Sequence, residues 1–326
     1  MRFAVGILLV LLACHAVAGP VTTLSVTTAD GDRTALAALP SSGSAPAPLV
    51  LLLHGRGGSA AGILDERRVL SRSPLAAWLP IAEREHIAVI ALQGTKGSGL
   101  LSGWNDCRKS DGYKPTADDV AYVRAIVQPL IAEHVVDPTR IYLMGMSNGA
   151  IMSFRLVVDL DIPVAALASV AGSMAILGDG ICAEPKQPVS LLMIHGTADK
   201  LVPYQGGEVR VLGAERGEIR SVPDTIALFR KLDGLPNAPA KSSIPHRANT
   251  ADSTSIHEEL YGSDPHGYQV ELLTVDGGGH AEPTIDYPYG AIYIGLAGPQ
   301  NRDLESAEVA WAFFRDKTSS AAPVHN

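Results

Sequence analysis

Residues 140–150 read RIYLMGMSNGA. Arg140 to Met144 has the pattern of a strand, and a helix follows through Leu160. Between them lies Gly145-Met146-Ser147-Asn148-Gly149, a G-x-S-x-G sequence. Alone that pattern is common. Between a strand and a helix it is specific: the glycines permit a sharp turn that exposes the serine side chain at the positive end of the next helix. The backbone N–H of Asn148 then points to where an oxyanion would form.

Reading outward, apolar runs alternate with helical patterns. Leu49–Leu53 and Ile87–Leu92 read as strands buried on both faces, and so do Val164–Val170 and Val189–Ile194. Val21–Thr28 reads as a further strand. Helices are expected over Leu75–Glu85, from Thr116 (with Asp119 completing a cap), from the Ser221 cap to Leu232, and from about Asp303 to Arg315. His257–Tyr261 and Tyr268–Val275 suggest an antiparallel pair, and residues 235–255 a polar excursion. The expected fold class is α/β: a mostly parallel central sheet with helices on both faces, with ligands at the carboxyl ends of the strands.

A serine hydroxyl needs a base, and the base an orienting carboxylate. On this architecture the chain order is serine, acid, histidine. The strand ending at Ile194 runs into His195-Gly196-Thr197-Ala198-Asp199, and the strand ending at Val275 into Asp276-Gly277-Gly278-Gly279-His280. Asp199 and His280 are therefore the candidate acid and base, with Asp276 as a rival acid whose glycine neighbours suit it better to shaping the His280 loop.

The stretch VLLLHGRGGSA (50–60) also fits G-x-G-x-x-A, a dinucleotide pattern. That function wants an acidic residue near the end of the next strand, which here ends in Gln93. The alternative is a second oxyanion donor on the loop after an early strand, with the backbone N–H of Arg56 as the best candidate. His54 and His195 read as structural, since neither has a second histidine at metal-ligand spacing. No metal or cofactor is expected.

Composition sets the limits. The chain has 326 residues, 46% of them hydrophobic, and a formal net charge of −8. No basic block stands out, so nucleic acid and anionic membranes lack an electrostatic footprint. No run of 18 apolar residues suggests a transmembrane helix. At the N-terminus, Arg2, an apolar stretch from Phe3 to Ala13 and Ala16-Val17-Ala18 form a signal peptide over residues 1–18, ahead of one catalytic domain over residues 19–326. Leu11-Leu12-Ala13-Cys14 also resembles a lipobox, which would place a lipid anchor on Cys14 and hold the protein at a membrane. Either route exports the chain to a secreted or periplasmic setting. Cys107 and Cys182 then remain where a disulfide can form, and they are expected to pair.

The segments HGRGG, GWNDC, VDPTRIYLMGMSNGA, MIHGTADKLVPYQGG, DGGGH and NRDLESAEVAWAFF occur in that order over about residues 45–315. Together they resemble the secreted polyhydroxybutyrate depolymerase and feruloyl esterase family of the α/β-hydrolase fold. The resemblance implies Ser147 as nucleophile, Asp199 as acid and His280 as base. It also implies Trp104 and Tyr204 as walls of a small acyl pocket. The activity implied is a secreted serine carboxylesterase acting on small or oligomeric esters of hydroxy acids or hydroxycinnamates. The alternatives are an acetyl-sugar (xylan) esterase, a peptidase of the same fold, and an inactive carbohydrate-binding relative. Polymer-degrading members often carry a polymer-binding domain, for which this length leaves no room, so weak action on crystalline polymer is expected.

Overall fold

A computed structural model describes residues 20–40, 45–65, 72–109, 114–176, 182–211, 214–247 and 253–319. The expected signal segment, residues 1–18 with Cys14, lies outside them.

The described chain opens with a hairpin, β1 (Thr22–Thr28) and β2 (Gly31–Ala38). There follow β3 (Ala47–Leu53), α1 (Ala60–Leu64), a 3₁₀ turn (Pro74–Ala77), α2 (Trp78–Glu85) and β4 (Ala88–Leu92). A short hairpin, β5 (Thr95–Lys96) and β6 (Ser102–Gly103), precedes α3 (Asp119–Ala132), β7 (Val136–Met146), α4 (Asn148–Asp159) and β8 (Ala166–Val170). Then come β9 (Ser190–Gly196), a second hairpin of β10 (Gly207–Val211) and β11 (Ala214–Ile219), and α5 (Val222–Leu232). The chain closes with β12 (Ala240–Ile244), β13 (Ser255–Tyr261), β14 (Val270–Asp276), α6 (Ala291–Ala297) and α7 (Ser306–Phe314).

Ten strands form one sheet in the order β1-β2-β4-β3-β7-β8-β9-β14-β13-β12. The six from β4 to β14 are parallel, and an antiparallel pair closes each edge. The parallel strands are apolar on both faces because both faces are covered. Leu49, Leu51 and Leu53 pack with Val123, Ile126 and Val127 of α3, Phe154 of α4 and Phe229 of α5. Val50 and Leu52 point the other way, toward Trp78 and Ile81 of α2 and Trp311 and Phe314 of α7. Each such fully buried leucine stabilises the fold by about 2 kcal/mol. The central registers keep the carboxyl ends level: Leu53 pairs with Gly145, Met146 with Val170, Val170 with Ile194, and Gly196 with Val275. Loops leaving β3, β7, β9 and β14 therefore emerge along one edge.

Several expectations are corrected. The cap of α3 is Asp118, which accepts from the amide of Ala121, and not a box formed by Thr116 and Asp119. Asp119 is buried and pairs with Arg33 at 2.8 Å. Asp137 and Pro138 lie within β7, so that strand begins earlier than the expected Arg140. The excursion at 235–255 holds β12, an edge strand on β13. Strand β2, the β10–β11 hairpin and α6 carried no clear period in the sequence. Among the described residues no helix is long and apolar enough to cross a membrane.

Cys107 and Cys182 form a disulfide with a Cα–Cα distance of 5.7 Å. It joins the loop after β6 to the segment before β9, across a sequence separation of 75. On the chain-entropy account, closing a loop of that length stabilises by about 4 kcal/mol. The double replacement Cys107→Ser/Cys182→Ser should therefore lower the unfolding free energy by several kcal/mol in chemical denaturation. An unchanged unfolding midpoint and slope would contradict it.

Candidate active site

Gly145, Ser147 and Gly149 form the turn from β7 into α4. A Cβ on Gly145 would collide with the Gly149 backbone, and one on Gly149 with the carbonyls of Leu53 and His54. The turn is thus pressed against its own next turn and against the end of β3. Ser147 sits at φ 56° and ψ −120°, a conformation that L-residues rarely adopt. Its amide donates to Val170 O at 2.9 Å, and its carbonyl accepts the first bond of α4 from Ile151.

Ser147, Asp199 and His280, singled out in the sequence, meet at the carboxyl edge. His280 Nε2 lies 2.8 Å from Ser147 Oγ. His280 Nδ1 lies 2.7 Å from Asp199 Oδ2. The other carboxylate oxygen of Asp199 accepts the amides of Leu201 and Val202, each at 2.9 Å. Asp199 and His280 are both buried. Asp276, the rival acid, is half-exposed and faces His257 Nε2 at 3.1 Å, away from His280.

The other two histidines are scaffold. Burial pushes His54 down to about 4, against a smaller opposing effect from its bond to Gly55 O. It is neutral at ordinary pH, with Nδ1–H donating to Gly55 O at 2.8 Å and Nε2 accepting the Gly94 amide at 3.0 Å. Burial likewise pushes His195 down. Its Nε2 lies 2.9 Å from Val202 O and 3.5 Å from Asp199 Oδ2. With His195 neutral, the longer approach is a contact and not an ion pair.

Of the candidate oxyanion donors, Asn148 is the first residue of α4, where amides lack an intrahelical acceptor. The other candidate, Arg56, lies in the loop after β3, which is held in shape by the Gly57 and Gly58 amides donating to Ser102 O and Gly55 O. Trp104, expected as a pocket wall, has no exposed surface. Its indole N–H donates to His54 O at 2.8 Å and its ring packs on the His54 ring, so it supports the β3 loop from inside. Tyr204 packs edge-on against His195, with its hydroxyl 3.2 Å from Thr274 Oγ1, which places it against the Asp199 loop.

Nothing in the local pattern of residues pointed to the group that holds the His280 loop. The hydroxyl of Tyr293, on α6, donates to His280 O at 2.9 Å, and the His280 amide donates to Ala297 O at 2.7 Å. The Tyr293 ring stacks on Tyr289, whose hydroxyl donates to Glu282 Oε2 at 2.5 Å. Glu282 Oε1 has no partner among the described residues. Burial pushes this carboxyl up to about 7. Only position two residues past a candidate base could have drawn attention to Glu282.

A serine on a strained strand-to-helix turn, facing an imidazole held by a carboxylate, defines the hydrolytic class of α/β-hydrolase folds. The phospholipase/carboxylesterase family matches residues 35–211, more than half of the chain. The putative esterase NocK of Nocardia uniformis subsp. tsuyamanensis is 30% identical over 273 residues, 82% of this chain and 73% of that protein. Feruloyl esterase B of Piromyces equi is 32% identical over 168 residues, 51% of this chain but 29% of its own length. Poly(3-hydroxyalkanoate) depolymerase C of Paucimonas lemoignei is 25% identical over 272 residues, 80% of this chain and 61% of that one. The fold is shared with an acetyl xylan esterase from Aspergillus awamori, at TM-score 0.51 and 14% identity, covering 84% of this chain and 98% of that one. The chain belongs to the phospholipase/carboxylesterase family and is a carboxylic-ester hydrolase.

A raised carboxyl binds its proton more tightly in the folded protein. The contribution of Glu282 is therefore full below pH 4.5 and is lost as pH rises toward about 7. The loss amounts to about 3 kcal/mol. Glu282→Gln cannot ionise, so its stability relative to wild type should improve by about that much between pH 4 and pH 8 in denaturant titrations. A difference that does not vary with pH would contradict it.

Proposed function

We propose that this chain is an exported serine carboxylesterase that cleaves esters of hydroxy acids or hydroxycinnamates through an acyl-serine intermediate. The observation that carries the proposal is the hydrogen-bonded line from Ser147 Oγ through His280 to Asp199. His280 Nε2 takes the hydroxyl proton as Ser147 Oγ attacks the ester carbonyl carbon. The backbone amides of Asn148 and Arg56 receive the developing oxyanion. Collapse expels the alcohol, which leaves with the proton from His280 Nε2. Water then attacks the acyl-serine with His280 again as base, and the acid departs. Asp199, holding the imidazole Nδ1–H, fixes the tautomer and stabilises the imidazolium.

The substrate class is supported by relatives named as feruloyl esterase and poly(3-hydroxyalkanoate) depolymerase. Export, by signal-peptide cleavage or through a lipid on Cys14, is supported by the N-terminal sequence and by the disulfide, since such bonds persist in oxidising compartments.

Ser147→Ala should cut ester turnover about 10⁴-fold or more with the fold intact. In the wild type, kcat/KM should fall on acidification, because a protonated imidazole cannot accept the serine proton. A variant that keeps a tenth of the wild-type rate, or a flat profile from about pH 5 to 9 with a chemistry-limited ester, would contradict the mechanism. For the substrate, parallel assays on 3-hydroxybutyrate oligomers, methyl ferulate, polymer film and triolein should favour the soluble esters. A preference for triolein would overturn the substrate class and leave the mechanism standing.

A further inference from the structure

The segment Ser102–Arg108 touches both candidate oxyanion donors and is anchored behind them by buried charge. On one side it grips Asn148 by its side chain. Asn148 Oδ1 accepts the Trp104 amide at 2.8 Å, and Nδ2 donates to Asp106 Oδ2 at 2.6 Å and to Trp104 O at 3.3 Å. A cap side chain ordinarily bonds within the first turn of its helix, and Asn148 is the residue just past the cap, Ser147. The Asn148 side chain reaches a loop more than 40 residues earlier instead. The contact is close: a Cβ on Gly103 would lie 2.7 Å from Asn148 Oδ1. On the other side, Trp104 Nε1–H donates to His54 O and Ser102 O accepts the Gly57 amide at 2.8 Å, so the same segment fixes the loop that carries Arg56.

Asp106 is fully buried, and Arg108 nearly so. The Arg108 Nη2 lies 2.7 Å from Asp106 Oδ2, and its Nε bonds both carboxylate oxygens. Lys114 Nζ donates to the carbonyls of Asp106 and Arg108. The disulfide leaves the chain between the two, at Cys107. Burying such a pair is weak evidence for stability, because desolvation can cancel the attraction. What the pair does hold is the acceptor for Asn148 in one place.

We propose that Ser102–Arg108 is a positioning strut that sets the two oxyanion donors at a fixed separation, acting through the Asn148 side chain on one and through His54 O on the other. The inference rests on the serine mechanism proposed above. Oxyanion donors must lie about 2.7–3.1 Å from the transition-state oxygen, and loss of one costs about 10²–10³-fold in kcat. An error of about 1 Å in such an arrangement is of similar consequence. Asn148 and Asp106 act as positioning residues through their side chains, and neither side chain touches substrate.

Two variants separate positioning from stability. Asn148→Ala keeps the backbone amide but frees it from the strut. Asp106→Asn keeps an acceptor for Asn148 but strands the Arg108 charge. Active sites are first counted by stoichiometric labelling with an aryl alkylphosphonate, and rates are expressed per labelled site. Asn148→Ala should lower kcat by about 10- to 100-fold with KM within about threefold. It should weaken a trifluoromethyl-ketone inhibitor, which forms a tetrahedral adduct, by the same factor. Asp106→Asn, which loosens the anchor but still offers Asn148 an acceptor, should lower kcat by less than Asn148→Ala does while unfolding at clearly lower denaturant. Asn148→Ala with kcat per site within about threefold of wild type overturns the strut, and so does a fall confined to the number of labelled sites. If the phosphonate fails to label Ser147 in the wild type, the serine mechanism itself fails and the strut falls with it.

Discussion

The strained backbone of Ser147 is the constraint on which the rest depends. A non-glycine residue at φ 56° costs on the order of 1–3 kcal/mol and persists only where its surroundings over-determine it. Here they do. Gly145 is pressed against Gly149 and Gly149 against the end of β3, the Ser147 amide is tied to β8, and its carbonyl begins α4. The outcome is a hydroxyl standing clear of the sheet at a helix N-terminus. Without the level carboxyl ends of β7, β9 and β14, that hydroxyl would have no imidazole within reach.

Three histidines at that edge divide the work by environment. For His54 and His195 burial outweighs the groups that would favour a charge, so they stay neutral and act as fixed hydrogen-bonding struts for the loops after β3 and β9. His280 alone has a carboxylate on one nitrogen and a hydroxyl on the other. Its loop is steered by glycines and then held from behind by Tyr293 and the Ala297 carbonyl of α6.

Much of this was legible in the sequence for physical reasons. A parallel strand covered on both faces must be apolar throughout, so β3, β4, β8 and β9 announced themselves. The serine turn needs its two glycines, and strand-end loops carry the chemistry, so Ser147, Asp199 and His280 stood in readable places. Edge elements were harder. Strand β12 is almost wholly exposed, and α6 has only Ala297 buried, so neither shows a burial period. The burial of Trp104 was also hidden, because its partners, His54 O and Asn148 Oδ1, are some fifty and forty residues away in the chain. Glu282 was hidden for another reason: local spacing does not distinguish a buried carboxyl from a solvated one.

The central claim is that the ester's acyl group passes through Ser147. The most direct measurement is intact-protein and peptide mass spectrometry on enzyme quenched in acid during turnover of a slowly deacylating ester. The account predicts a mass increase equal to one acyl group, localised to the peptide that carries Ser147. An acyl group on any other residue, or unmodified enzyme throughout a kinetic burst of alcohol release, would contradict it.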